Sequence, residues 1–398
     1  MKIIHLSDLH IGKKVHGFSM LPDQEHILNQ ICDIIKAQNP DAVIIAGDIY
    51  DQSVPSAEAV SLFDRFLAEI SGIASHVFII SGNHDSAERI AYGHEIMKRG
   101  GVHLSPVFDG NVLPVEIEDE YGKIRFYMLP FVRLPEARLA LSQAFHEDNP
   151  EIQMPEIHSY DDAVKAAISR MNINRECRNV LITHQFVTGA AQCESEDIIS
   201  VGGADNVDSD AFSAFDYVAL GHLHGPQHIG RESVRYCGTP LKYSFSEKDH
   251  KKTITVLDIG NNKNGEYADI AITEIPLNPI RDMREIRGRY NDIMNRENYV
   301  NTNTEDYLHI VLTDEEDVPE GISRLRSVYP NIMLLDYDNE RTRHSPELRE
   351  IAKTHSKSRM ELLEDLYKMM NGKDMSNKQR EFAQSIFDEI GNVNQEEK

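Results

Sequence analysis

The sequence predicts a layered α/β fold with mostly parallel strands, and three observations carry that prediction. Short runs rich in Ile and Val recur through roughly the first 280 residues, as strands buried on both faces require. Between the first of these runs, longer segments carry apolar residues at helical spacing. Strand and helix alternate at a length that suits right-handed crossovers between parallel strands.

The first run, Ile3–Leu6, opens the chain within MKIIHLSDLH. Asp and His come directly after it, with no long apolar stretch and no small-residue cleavage site, so it does not read as a signal peptide. Ile27, Leu28, Ile31, Ile34 and Ile35 share one helical face. Ala42–Ala46 is the second strand, and Ala59, Leu62, Phe63, Phe66, Leu67 and Ile70 form the next helical stripe. Val77–Ile80, Val180–Ile182 and Val218–Leu220 complete a set of five strands. Ile124–Leu129, Ser233–Tyr236 and Thr253–Ile259 are expected as antiparallel or edge strands that serve only the sheet core.

A boundary is expected near Pro276–Pro279, beyond which charge density rises and metal-ligand residue types thin out. The division is then 1–278 for a first domain, 279–340 for a small α+β domain, and 341–398 for a charged linker and two helices. In the small domain, Tyr307–Leu312 and Ile332–Tyr337 read as strands and Ile322–Val328 as a helix. The two terminal helices carry Met360, Leu363, Leu366, Tyr367 and Met370, then Phe382, Ile386, Phe387 and Ile390. Such a pair, each with one apolar face, either docks on a partner or packs back on its own chain.

The 398 residues are 40% hydrophobic and 27% charged, a globular balance that excludes wholesale disorder. No apolar run approaches the ~18–20 residues of a membrane helix. The four cysteines, Cys32, Cys177, Cys193 and Cys237, form no CxxC pair. A disulfide framework or Cys-ligated zinc is therefore not expected, and a reducing cytoplasm fits. The formal net charge is −24. A chain that grips nucleic acid unaided usually carries a basic stripe. If the substrate is a polyanion, metal ions, a local patch or a partner must supply the positive charge.

The chemistry lies in the residues at the carboxyl end of each of the five strands. Ser7-Asp8-Leu9-His10 ends the first, Gly47-Asp48-Ile49-Tyr50-Asp51 the second and Ser81-Gly82-Asn83-His84-Asp85 the third. Thr183-His184 and Gly221-His222-Leu223-His224 end the last two. Any one cluster alone has an ordinary structural explanation; five at the same end of five strands do not. In open α/β sheets, ligands bind beyond the carboxyl ends of the strands. The set offers carboxylate and amide oxygens with imidazole nitrogens and no thiolate, which suits manganese or iron, and zinc less exclusively. There are too many donors for one ion. Two sites sharing a carboxylate is the natural division, with Asp48, mid-set and preceded by Gly47, as the bridge.

This series resembles the calcineurin-like metallophosphoesterases and, within them, the SbcD family of nucleases, counterparts of the meiotic recombination nuclease. The opening Lys2–Gly12, the stretch Gly221–Gln227 and Tyr236-Cys237-Gly238-Thr239-Pro240 with Ser244-Phe245-Ser246-Glu247 sharpen the match. The resemblance spans roughly residues 1–260 with strong motifs and is weak beyond. It implies a β-sandwich core flanked by helices, with a small α+β capping domain and C-terminal helices. One metal ion would be held by Asp8, His10, Asp48 and His224, the other by Asp48, Asn83, His184 and His222, with Mn2+ favoured over Mg2+, Fe2+ or Zn2+. His84 would act on the phosphate, oriented by Asp85. Asp51 stands where some relatives carry His, and His5, His16 and His228 read as ordinary histidines.

The same resemblance implies an ATP-dependent complex with an SbcC-type coiled-coil ATPase, a homodimer, and a place in the cytoplasm at the nucleoid. It implies 3′-to-5′ exonuclease action on duplex DNA ends and endonuclease action on hairpins, in repair and recombination. The alternative is a metallophosphatase or small-molecule phosphodiesterase, which has no evident need for residues 281–398. A non-catalytic scaffold predicts eroded ligands, and none is missing. The basic stretch Arg281–Arg289 is either a solvated edge or a rim that touches phosphates.

Overall fold

Two six-stranded sheets stack face to face in the computed structural model of the protein. It describes residues 1–148, 156–194, 196, 206–261 and 267–339, with 363–364, 367–368, 375–376, 378–380 and 382–383 beyond them. The first sheet is built from β1 (Lys2–Leu6), β2 (Ala42–Ala46), β3 (His76–Ile80) and β4 (Val102–Leu104). The second sheet takes β5 (Val115–Asp119), β6 (Gly122–Leu129), β7 (Arg178–His184), β8 (Tyr217–Gly221), β9 (Gln227–Ile229) and β10 (Arg231–Tyr236). The chain then returns to the first sheet with β11 (Thr253–Ile259) and β12 (Ile270–Pro276). The orders are β12-β11-β1-β2-β3-β4 and β9-β10-β8-β7-β6-β5.

All five strands expected to carry chemistry are present, and each lies in a run of parallel neighbours. Their apolar sequences follow from burial on both faces. Between the sheets, Ile3, Ile44, Phe78 and Ile80 meet Phe126, Val180, Ile182 and Tyr217, with Phe78 stacked on Phe126 at 4.3 Å between centroids. Truncating such a ring to alanine costs about 3–5 kcal/mol. The outer face of the first sheet is covered by α1 (Leu21–Gln38) and α2 (Ala57–Ser71), through the stripes legible in the sequence. Ser56 caps α2 by accepting the Ala59 N–H. Two helices the periodicity did not announce, α3 (Leu134–Asp148) and α4 (Tyr160–Arg170), cover the second sheet.

Two expectations need correction. β6 and β10, which contain Ile124–Leu129 and Ser233–Tyr236, are each antiparallel to one neighbour, as expected, but they are not edges, and each also has one parallel neighbour, β7 and β8 respectively. The edges go to their hairpin partners, β5 and β9. β11 is antiparallel to both neighbours, as expected. The helix expected over Ile322–Val328 runs only Gly321–Leu325. Tyr329 precedes Pro330, whose ring disfavours helical backbone in the residue before it, and the chain closes in a turn.

Residues 283–337 supply a three-stranded sheet of β13 (Met283–Gly288), β14 (Tyr307–Leu312) and β15 (Ile332–Tyr337) in that order. The basic stretch from Arg281 thus includes a strand, in which half-buried and exposed residues alternate after the buried Met283. The described chain divides into two compact units. One holds Met1–Ile286 with Asn301–His309 and Leu325–Leu334; the other holds Arg287–Val300, Ile310–Arg324 and the described residues from Leu335 onward. In the second unit the Asp314 carboxylate accepts the Tyr290 N–H at 2.7 Å, and Arg287 pairs with Asp338. The expected terminal helices fall mostly outside the described residues. Leu363, Tyr367 and Phe382 are described and helical, and Gln379 donates to the Tyr367 hydroxyl at 2.9 Å. No helix among the described residues is long and apolar enough to cross a membrane.

Candidate metal centre

The loops after β1, β2, β3, β7 and β8 converge beyond the carboxyl ends of the two sheets. Backbone hydrogen bonds knit them: Asp8 N–H donates to Gly47 O at 3.0 Å and His10 N–H to Asp48 O at 3.0 Å. The Asp8 carboxylate in turn accepts the His222 N–H at 3.0 Å, joining the first sheet to the second. The turns are tight enough that Asp8 (φ 53°), His10 (φ 45°), Asp48 (φ 49°) and His222 (φ 104°) all lie in the left-handed region. Such conformations cost of order 1–3 kcal/mol each and concentrate at functional sites. No side-chain pattern foretold them. Glycine is required where backbones nearly touch: a Cβ on Gly82 would collide with the Asp48 carboxylate, and one on Gly221 with the Ala46 carbonyl.

Every residue expected to ligate a metal is in this cluster. Asp48 Oδ2 sits at its middle, 3.3 Å from His184 Nε2, 3.8 Å from His10 Nε2 and 3.9 Å from His84 Nε2. On one side, His10 Nε2 and His224 Nε2 face each other at 3.2 Å, and Asp8 joins them within metal-binding spacing. On the other, Asn83 Oδ1 lies 3.0 Å from both His184 Nε2 and His222 Nδ1. His184 Nδ1 points at the Ala46 carbonyl at 2.8 Å. A carbonyl only accepts, so that nitrogen carries a proton and Nε2 is the atom that faces the cluster.

The donor set fits divalent cations. It combines carboxylate and amide oxygens with imidazole nitrogens, almost wholly buried, and three overlapping groups have metal-binding spacing: Asp8 with His10 and His224, His10 with Asp48 and His84, and Asp8 with Asp48 and His184. Buried His10 Nδ1 and His222 Nε2 have no hydrogen-bond partner among the described residues. In the metal-free protein the electrostatics are those of a cation site. Burial pushes Asp8 well above the usual carboxylate range, although His184 pulls it down. Burial also tends to raise Asp48, but His184, His10 and His84 hold it well below that range. Against burial, which lowers it, Asp48 and Asp8 push His184 up to about 9.

His84 lies beside the donors, as expected, while the Asp85 carboxylate turns to the backbone rather than to the His84 ring. That carboxylate accepts the N–H groups of Ile49, Tyr50 and Gly82 at 3.0–3.1 Å and so clamps the loop after β2 to the loop after β3. His84 Nδ1 instead faces the Asp51 carbonyl at 2.9 Å, which leaves Nε2 toward Asp48. His10, Asp48 and His84 also satisfy metal-group spacing. The Asp51 side chain pairs with Lys13 at 2.6 Å. His5 hydrogen-bonds Tyr217 at 3.0 Å and His16 stacks on Phe245, both away from the donors. Sequence reasoning assigned no role to Glu196, whose carboxylate accepts the His224 N–H at 2.6 Å, or to Lys252. Neither belongs to a short motif with the ligands.

Comparison with known proteins gives the chain's family. The family described as calcineurin-like phosphoesterase matches residues 1–226, more than half of the chain. Residues 279–371 match the SbcD C-terminal domain, described as type 5 capsule protein repressor C-terminal domain. The SbcD component of the SbcCD nuclease from Staphylococcus epidermidis is 33% identical over 338 residues, covering 84% of this chain and 85% of that protein. A dimetal phosphatase from Danio rerio aligns at TM-score 0.38 and 11% identity, over 70% of this chain and 98% of its own, a likeness too slight to bear on the site. The chain belongs to the calcineurin-like metallophosphoesterases, and within them to the SbcD family.

Proposed function

We propose that this protein is the nuclease subunit of an ATP-dependent complex with an SbcC-type coiled-coil ATPase. It would cut DNA phosphodiester bonds from duplex 3′ ends and at hairpins, in repair and recombination. The observation that carries the reading is the placement of Asp48 Oδ2 between two groups of donors, beside His10 and His184. Asp8, His10, Asp48 and His224 would hold one ion and Asp48, Asn83, His184 and His222 the other, most readily Mn2+. The similarity to a nuclease component favours DNA over a small phosphodiester. Residues 1–278 form the hydrolytic domain, 279–340 the capping domain, and 341–398 the linker and helices that bind the ATPase. The protein works as a homodimer.

Bound divalent ions supply Lewis acidity, lowering the pKa of water and neutralising charge on phosphate oxygens. The chain does the rest. Asp48, held by the His84 N–H on Oδ1 at 2.9 Å, keeps Oδ2 free to face both groups of donors. Asp85 fixes the spacing of the two loops that carry Asp48 and His84. His84, with Nδ1–H committed to the Asp51 carbonyl, meets a phosphate through Nε2. There it donates a hydrogen bond, or a proton to the leaving oxygen, only as the imidazolium. The test is a nuclease assay of the purified protein in manganese, with and without the ATPase. Cutting of duplex ends that requires manganese and is stimulated by the ATPase with ATP supports the reading. Hydrolysis of small phosphodiesters with no action on DNA in either case would favour a phosphodiesterase instead.

A further inference from the structure

The Gly-Thr-Pro loop (Gly238–Pro240) and the Ser-Phe-Ser-Glu turn (Ser244–Glu247) close around the back of His224. Glu247 is fully buried and its Oε1 lies 3.3 Å from His224 Nδ1. The same oxygen accepts the Tyr243 N–H at 3.2 Å. Its other oxygen pairs with the ammonium of Lys252, itself only 6% exposed. Lys252 also donates to Thr239 Oγ1 at 2.7 Å and to the His224 carbonyl at 2.9 Å, so its three donors all have acceptors. Among the described residues no other imidazole of the proposed ligands has a carboxylate within hydrogen-bond reach of its far nitrogen; the Asp51 carboxylate stands 3.9 Å from His10 Nδ1. His184 leans on a backbone carbonyl, and His10 Nδ1 and His222 Nε2 have no hydrogen-bond partner there.

We propose that Glu247, charge-balanced by Lys252, is a positioning residue of the metal centre. It accepts the Nδ1–H of His224, fixes that tautomer, and presents the Nε2 lone pair beside Asp8 and His10. This inference rests on the proposed metal centre and deepens it. A buried ion pair is a poor way to stabilise a fold, since apolar replacements of the same volume often do as well. Here the pair stands behind one imidazole, and an ionised carboxylate is acceptor-only, so it dictates which ring nitrogen bears the proton. A carboxylate on the far nitrogen also makes the imidazole a stronger donor to a cation, and loss of such a partner typically weakens metal binding about 10–100-fold.

The test uses the full chain and Mn2+ as the only added ligand. In metal-free protein, long-range imidazole ¹⁵N spectra, assigned by difference against His224→Gln, should show His224 as the Nδ1–H tautomer. Titration followed by the free-Mn2+ paramagnetic resonance signal should show two ions in the wild type. Glu247→Gln should bind one of them about 10–100-fold more weakly. The double variant Glu247→Gln/Lys252→Met removes both charges, so its fold is not burdened by an unpaired ammonium, and it should keep that deficit. An Nε2–H tautomer in the wild type would overturn the proposal, as would wild-type affinity for both ions in either variant. A wild type that takes up no Mn2+ would overturn this inference together with the metal centre itself, and that arm separates the two failures.

Discussion

At the scale of single residues, Asp48 and His84 decide what the centre can do. Asp48 Oδ2 is close to His10, His84 and His184 at once, and no other carboxylate in the cluster has that position. Asp48→Ala should abolish cleavage and weaken both ions, because one carboxylate serves two. Metal analysis finding two fully occupied ions in that variant would refute the bridge. His84 is a sharper case, since its spacing also suits a ligand. If it acts on phosphate, His84→Ala keeps both ions and loses roughly 10²–10⁴-fold in turnover. Loss of an anomalous manganese peak in His84→Ala would make it a ligand. The residue types at this site were legible because each stands at the end of a buried strand. The left-handed backbone of Asp8, His10, Asp48 and His222 was not, because positive φ leaves no mark in the sequence of a non-glycine residue.

At the scale of elements, the sandwich is pinned at its lower rim by Asp119 at the end of β5 and Arg178 at the start of β7. Arg178 is 2% exposed and its Nη1 donates to Asp119 Oδ2 at 2.9 Å. Burial tends to raise the Asp119 carboxyl, but the Arg178 hydrogen bonds and the Tyr121 N–H hold it at about 2, below its ordinary 3.8. A depressed carboxyl contributes stability above its unfolded pKa and loses it as pH falls through its folded one. That contribution is therefore full above about pH 4 and gone near pH 2. Asp119→Asn should lower Tm at pH 7, because Arg178 is left buried with a weaker partner. It should also flatten the fall of Tm between pH 4 and 2. An equally steep fall in scanning calorimetry would show that the pair contributes nothing. The strands that carry the site were readable from short Ile/Val runs. α3 and α4 were not, because α3 alternates small and charged residues with few large apolar ones, and its burial comes from the sheet beneath. That β6 and β10 would each gain a parallel neighbour besides an antiparallel one was not legible either, because a strand's own sequence does not name the strand beside it.

At the scale of the whole molecule, a net charge of −24 must be reconciled with a polyanionic substrate. Two divalent ions contribute four positive charges at the point of cutting, and an ATPase partner can provide the remaining grip on the DNA. Deleting residues 345–398 should leave manganese binding and hydrolysis of bis-p-nitrophenyl phosphate intact while abolishing co-purification with the ATPase. Insolubility of the truncated protein would mean that this segment completes the chain's own core. The central claim is that one carboxylate joins two ions in this fold. The most direct measurement is an anomalous difference map of crystals grown with manganese. Two peaks per chain are expected, about 3.5–4 Å apart, both touching Asp48, one flanked by Asp8, His10 and His224 and the other by Asn83, His184 and His222. A single peak, or two peaks that Asp48 does not bridge, would contradict that claim.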